Sequence, residues 1–357
     1  FLELIYMKRK QINSNLDNTK KRKVTFDEII NDHKLETIDD IIKLVSLFFN
    51  TEIPNDVFIE LNKRINFEQL FSIIGPLYDL KNMIGMHKLK ENIIDLIIFH
   101  LSGIAKSNKN MLHMVLYGEP GTGKTTVVEI LAKIFKSMGI LSTGIVKSVK
   151  APDLIGKYVG HTAAKTKDVL ESCKGGILII DEAYSLGRDR DRNSSDGFSK
   201  ECIDEINRYL SECKEDFICI IAGYKKEIEK CFFAYNSGLQ RRFPFRFTID
   251  PYSSGEMRDI FLAILKRESE WSLENDNVIT DEFFEKNKDM FEFFGGSIEL
   301  YIHSIKIAHA KRVLMLAPNK RFILTKEDID IGFEAYVKNN EIKKKEEESL
   351  SSLMLYT

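Results

Sequence analysis

The chain has 357 residues, 43% of them hydrophobic and 30% charged, a balance that suits a folded globular protein and excludes a disordered one. The formal net charge of −2 gives no global attraction to nucleic acid or to an acidic membrane, and no apolar run reaches the roughly 18 residues that span a bilayer. Five cysteines, an odd number without metal-ligand spacing, point to a soluble protein in a reduced, intracellular compartment, with no disulfide framework.

The length suggests about two or three structural units. Residues 1–23 hold two basic clusters, "KRK" and "KKRK", around a polar spacer. They read as a basic, disordered tail, with a nuclear-import or anionic-surface patch as the alternative. The opening "FLELIY" is too short for a signal-peptide core, and its basic residues follow it rather than precede it. Residues 24–80 form an N-terminal helical element. In "TIDDIIKLVSLFF" the apolar residues fall three and four apart behind the N-cap candidate Thr37. "NDVFIELNKRI" and "NFEQLFSII" repeat the style from Asn55 and Asn66, and Gly75-Pro76 is expected to break the helix.

From 81 to 250 the character changes. "NIIDLIIFHLSGI", interrupted by Asp95 and His100, reads as a buried amphipathic helix. The strand-sized runs "MLHMVLY", "GIVKSV", "GILIID", "FICIIAGY" and "FRFTI" then alternate with helical segments. That alternation implies an α/β fold with a mainly parallel sheet flanked by helices. Residues 251–338 return to helical spacing, in "MRDIFLAILKRE" and "IELYIHSIKIAHAKRVLML", and read as a small helical domain. Residues 339–357 form a charged tail, a frayed helix or a disordered end.

The chemistry begins at "GEPGTGKTT", between the strand "MLHMVLY" and a helix, which is the context of a phosphate-binding loop. Gly118, Glu119, Pro120, Gly121, Thr122, Gly123, Lys124, Thr125 and Thr126 make up this set. The glycines let backbone wrap phosphate oxygens, and the helix N-terminus favours the anion. Lys124 supplies a charge for the β- and γ-phosphates of ATP, and the Thr125 hydroxyl can ligate Mg2+. In "GGILIIDEAY" the apolar run Ile177 to Ile180 is a central parallel strand, with Asp181 at its carboxyl end, where open α/β sheets hold ligands. Asp181 would hold magnesium and Glu182 would orient and deprotonate the attacking water.

These residues, with "IIAGY" and "NSGLQRRFP", resemble the AAA+ ATPases, and within them the CbbX-like group that includes red-type Rubisco activase and the stage V sporulation protein K group. The signature "YVGHTAAKT … GGILIIDEAYSL … FSKECIDEI … IIAGY" covers the stretch from Met83 to Pro251. The Lys-, Asn- and Ile-rich style and "FFGGSIELYIHSIKIAHAKRV" are most similar to members from giant DNA viruses, which would add the virion to the cytoplasm or nucleus as a location. The resemblance implies an ATP-driven ring, usually a hexamer, acting on a protein substrate, with ATP between neighbouring subunits. It sets Ile84 and Gly85 near adenine and places the neighbour-completing arginine at Arg242, with Arg241 beside it sharing or confusing the role. It also points the loop of Tyr158, Val159 and Gly160 inward to grip a threaded chain. "GRDRDRNSSDG" is either a second pore-facing loop or a solvated one.

Two departures from the family pattern stand out. The strand "FICIIAGY" ends on Gly223 and Tyr224 where many AAA+ proteins have a polar residue, often Asn, so Tyr224 is the candidate to contact the water. "GGSIELY" has no arginine where the family's sensor arginine is expected. That second departure keeps open a nucleotide-switched assembly module with little turnover. A motor on nucleic acid is a further alternative, although no dense basic stripe with stacking aromatics signals it. Seven scattered histidines without a Cys/His cluster give no zinc site.

Overall fold

A computed structural model describes residues 35–51, 53–104, 111–187, 196–213, 215–235, 237–268, 270–314 and 321–354. The basic segment 1–23 and most of "GRDRDRNSSDG" lie outside the described residues.

Four helices come first: α1 (Ile38–Asn50), α2 (Asn55–Arg64), α3 (Phe67–Ser72) and α4 (Ile74–Asn82). Thr37 closes a capping box on Asp40 at the start of α1, so the Thr37 reading holds. Asn66 caps α3 through the Gln69 N–H at 3.2 Å. Gly75-Pro76 does not end a helix. The break falls earlier, at Ile73 between α3 and α4, and Pro76 sits in the first turn of α4, where its missing N–H has no intrahelical partner to lose. Helix α5 (His87–Leu101) follows, burying Ile93, Ile94, Leu96, Ile97 and Leu101.

The five expected strands are all present, each a little shorter than its apolar run: β1 (Met114–Tyr117), β2 (Val146–Val149), β3 (Ile177–Ile180), β4 (Ile218–Gly223) and β5 (Phe245–Thr248). They form one parallel sheet in the order β2-β3-β4-β1-β5. Sequence explains this order. The uninterrupted apolar strands β3, β4 and β1 are buried throughout and take the centre, while "VKSV" and "FRFT", with Lys147 and Arg246, take the edges.

Alternate side chains feed two cores. Met114, Leu116, Ile177, Ile179, Ile218 and Ile220 face the first, with α1–α5 and with α6 (Lys124–Ser137). Val115, Tyr117, Leu178, Ile180, Cys219 and Ile221 face the second. That side is covered by α7 (Ala151–Leu154), α8 (Thr162–Glu171) and α9 (Asp196–Glu212). The N-terminal helices also cap α6. Gln69 Nε2 donates to Met138 O at 2.6 Å and Ser72 Oγ to Ser137 O at 2.8 Å, satisfying carbonyls that the helix end leaves free.

After a run of short helical turns over residues 225–235, α10 (Ser237–Gln240) precedes β5. Beyond the sheet lie α11 (Ser254–Arg267), α12 (Asp281–Lys286), α13 (Phe294–Val313) and α14 (Lys326–Met354), with a small parallel pair, β6 (Ser272–Leu273) and β7 (Ile323–Leu324). Ser253 opens α11 with a capping box on Glu256. Phe261, Phe284, Phe291 and Tyr301 fill the space between these helices and share the first core. Buried His309 and Asp328 join α13 to α14 at 2.9 Å, and Arg312 adds a bond of 2.7 Å to the same carboxylate. Burial pushes Asp328 up, but bonds from Arg312, Thr325 and His309 outweigh it and hold the carboxyl below its usual range. Among the described residues no helix is long and apolar enough to cross a membrane.

Candidate functional site

Parallel strands end together, so the loops after β1, β2, β3 and β4 gather at one edge of the sheet. They surround a cleft of about 760 Å³, within the roughly 300–1,000 Å³ of ligand sites. Gly118, Pro120, Gly121, Gly123, Lys124, Thr125 and Thr126 line one wall, and Asp181, Glu182 and Tyr224 line another. Ile84 closes the end nearest α4. Glu119, Thr122 and Gly85 are not part of this lining. Thr122 Oγ1 turns back onto Glu119 O at 2.7 Å, and Gly85 packs against Tyr252 and Glu256, which leave no room for a Cβ.

The loop wall is a backbone cradle. Gly121 and Gly123 have φ of 74° and 79°, a region that glycine enters without steric cost. Gly123 opens α6, so the helix N-terminus points into the cleft. Lys124 Nζ lies on the carbonyls of Gly118 and Glu119 at 3.1 and 2.7 Å. Burial pushes its pKa down, against the nearby acids Asp181, Glu182 and Glu119. A half-buried ammonium held by its own loop suits an anion of high charge, and a phosphate chain fits a concave row of amides.

On the facing wall Asp181 N is anchored to Val149 O at 2.9 Å. Glu182 has φ of 51°, an uncommon conformation for a residue with a side chain. Its N–H bonds Asp181 Oδ1 at 3.1 Å, and Ser185 donates to its carbonyl. The Glu182 carboxylate faces Lys150 Nζ at 3.6 Å. Both side chains are about half exposed, so this pair is weak and easily parted. Tyr224 is 38% exposed. Burial, then Glu119, Glu292 and Glu182, push its phenol up, so it keeps its proton as a hydrogen-bond donor.

The arginines lie elsewhere. Arg242 precedes β5, which runs parallel to β1, so it sits at the amino ends of the strands, away from its own cleft. Its Nε is buried without a hydrogen-bond partner among the described residues. It lies close enough to His113 to matter there: burial, then the Arg242 charge, push His113 down to about 4. Arg241 lines a separate groove with Asp95, Leu96, Phe99 and Phe245.

The Tyr158 loop is a built turn. His161 N bonds Tyr158 O at 3.1 Å and Gly160 has φ of 80°, the features of a type II turn. Its base is pinned by Gly156 N to Thr162 Oγ1, by Thr166 Oγ1 to Leu154 O, and by Lys165 Nζ to Pro152 O and Ile155 O. Tyr158 and Val159 are 68% and 88% exposed at its tip. The ring of His161 lies edge-on to Tyr158 at 5.6 Å.

Sequence reading missed Lys150, Tyr252, Arg267 and Glu299, all of which line the cleft. Lys150 had a signal, since it ends a strand one step before the pinned loop. The other three come from the helical region, whose approach to the cleft no local pattern encodes.

The family model described as "ATPase family associated with various cellular activities (AAA)" matches residues 114–250. A putative cfxQ-like protein of Acanthamoeba polyphaga mimivirus is 41% identical over 283 residues, covering 78% of this chain and 68% of that protein. Stage V sporulation protein K of Bacillus subtilis is 36% identical over 211 residues, 55% of this chain and 64% of its own length. A CfxQ homologue of Pyropia yezoensis is 30% identical over 285 residues, 78% of this chain and 92% of its own. Among solved structures, the FIGL-1 AAA domain in complex with ADP has a TM-score of 0.51 at 15% identity, over 71% of this chain and 83% of that one, a likeness of fold. With the family model falling on the very strands that carry the cleft, and relatives matched over most of their length, the chain belongs to the AAA+ ATPases, ATP-hydrolysing enzymes, in the group of the CfxQ proteins and stage V sporulation protein K.

Proposed function

We propose that this chain assembles with copies of itself into a ring, a hexamer, and uses ATP hydrolysis to pull a protein segment through the centre past Tyr158, Val159 and Gly160. One observation carries the reading. A pinned type II turn holds an aromatic and a β-branched side chain in water at 68% and 88% exposure. Apolar groups displayed this way add nothing to folding, and their contacts with a partner are tolerant of its sequence.

In the cleft, the loop from Gly118 to Thr126 wraps the phosphates, and Lys124 leaves its loop carbonyls for the β- and γ-phosphate oxygens. The Thr125 hydroxyl and the Asp181 carboxylate are hard oxygen donors on facing walls, a donor set that fits Mg2+ completed by phosphate and water. Bound there, the ion supplies neutralising charge on the phosphates. Glu182 accepts a proton from the attacking water. The water oxygen bonds to the γ-phosphorus as the bridging bond breaks, leaving ADP and inorganic phosphate. Tyr224 donates a hydrogen bond to that water. Arg242 of a neighbouring copy, with Arg241 beside it, stabilises the developing charge. Ile84 and Gly85 border the adenine, and residues 251–338 act as a lid.

A second reading is favoured by Glu299, an acid that lines the cleft from α13 where the resemblance calls for an arginine. It is a nucleotide-switched assembly module with little turnover. The test for both is size analysis with ATP and magnesium, alongside phosphate release and pull-down of substrate. Rings that turn over ATP and lose substrate capture on Tyr158→Ala support the first reading. Nucleotide-dependent assembly without turnover supports the second, and capture unaffected by Tyr158→Ala removes the gripping role.

A further inference from the structure

Two carbonyls of the phosphate loop are taken by groups from beyond the sheet. Gly121 O accepts from Gly295 N at 3.2 Å, and Thr122 O accepts from the Tyr252 hydroxyl at 3.0 Å. Tyr252 stands in the segment joining β5 to α11, and Gly295 stands in the first turn of α13. The same Tyr252 ring meets Phe294 edge-on, with centroids 5.8 Å apart at 73°. Its other edge fills the space beside Gly85, where an added Cβ would come within 2.9 Å of Cε1. Tyr252 is 6% exposed, so most of its ring is held by these contacts.

The fit is close on the α13 side as well. A Cβ on Gly121 would overlap the Phe293 carbonyl, so glycine is demanded here by the helical region and not only by phosphate. Phe294 has φ of 41°, an uncommon backbone state for an aromatic residue that persists only where its surroundings impose it. The strained residue is the one that touches Tyr252.

Resting on the nucleotide site proposed above, we infer that Tyr252 is a positioning residue for ATP binding. Through Thr122 O and Phe294 it locks the phosphate loop to the first turn of α13, so that this turn reports the state of the loop through backbone contacts. An arginine on this helix is then unnecessary, which accommodates a cleft wall that carries Glu299 there. Burial, then Glu256, push the Tyr252 phenol up to about 12, so the hydroxyl remains a donor at any working pH.

The test uses the full chain with magnesium and ATP. Tyr252→Phe keeps the ring and removes one donor, leaving a buried carbonyl unpaired. KM for ATP is expected to rise about fivefold to tenfold while kcat changes less than twofold. Hydrogen exchange supplies a readout that a merely structural role would not move. In the wild type, adding ADP and magnesium changes protection at the amides of residues 294–298, and in Tyr252→Phe that response is lost. Gly295→Ala attacks the contact from the other side, since its Cβ would lie 3.0 Å from Gly121 O. Alanine favours the helix, which offsets strain at Gly121 O, so unfolding midpoints should change little while KM rises and the exchange response falls. Wild-type KM and an intact response in both variants overturn the inference and leave the nucleotide site standing. A wild-type chain that binds no ATP removes both together.

Discussion

The phosphate cleft and the Tyr158 turn are built on opposite rules. In the cleft, function sits in backbone: left-handed glycines, a helix N-terminus and carbonyls that already hold Lys124. At the turn, backbone is only scaffold, pinned by Thr162, Thr166 and Lys165, and the proposed gripping role sits in two side chains pushed into solvent. The difference separates what is recognised. Phosphate is one fixed shape and charge, so a fixed cradle suits it. The polypeptide proposed to thread past the turn would have no fixed shape, and a protruding apolar tip would suit that. Lys150 joins the two regions, because it leads into α7 and the turn while its ammonium faces Glu182.

The largest expected effect tests the chemical half of this contrast. Glu182→Gln removes the proposed base and leaves the cradle intact, so turnover should fall about a hundredfold or more while ATP still binds. Arg242→Ala should cost about a hundredfold through a neighbour's site. Mixing it with Glu182→Gln chains should restore part of the activity, because some interfaces then hold both groups. An unmixed Arg242→Ala with full turnover would place the arginine outside catalysis.

A smaller effect concerns the scaffold shared by both regions. His113 is neutral and buried, with its Nδ1 accepting from Cys219 N at 3.0 Å. Its folded value of about 4 lies below the ordinary histidine value of 6.5, so below the latter the unfolded chain binds the extra proton. Stability is therefore full above pH 6.5, falls as pH drops towards 4, and levels off below that. The total is of the order of 3 kcal/mol, checked by denaturant melts across that range. A pH-independent midpoint between 6.5 and 4 would contradict it. The smallest effect is at the tip. Tyr158→Ala should move stability by no more than about 0.5 kcal/mol, because the ring is 68% exposed. A melt lowered by several times that would mean the ring is packed after all.

Legibility in the sequence follows the same division. The five strands and their parallel arrangement were readable because central strands are continuous apolar runs, and the phosphate loop because its glycines obey local backbone rules. Gly75-Pro76 misled because proline ends a helix from within yet begins one without cost, and sequence alone does not say which side it stands on. Tyr252, Arg267 and Glu299 were invisible for another reason. Their roles depend on which distant element closes over the cleft, and a tyrosine after "DP" or a glutamate after "GGSI" carries no local mark of that.

The central claim is that this cleft hydrolyses ATP with Glu182 as the base. The most direct test measures ATP binding and phosphate release, with magnesium, for the wild-type chain and Glu182→Gln side by side. Both proteins should bind ATP comparably, and the wild type alone should release phosphate. Equal release from both proteins would contradict the claim.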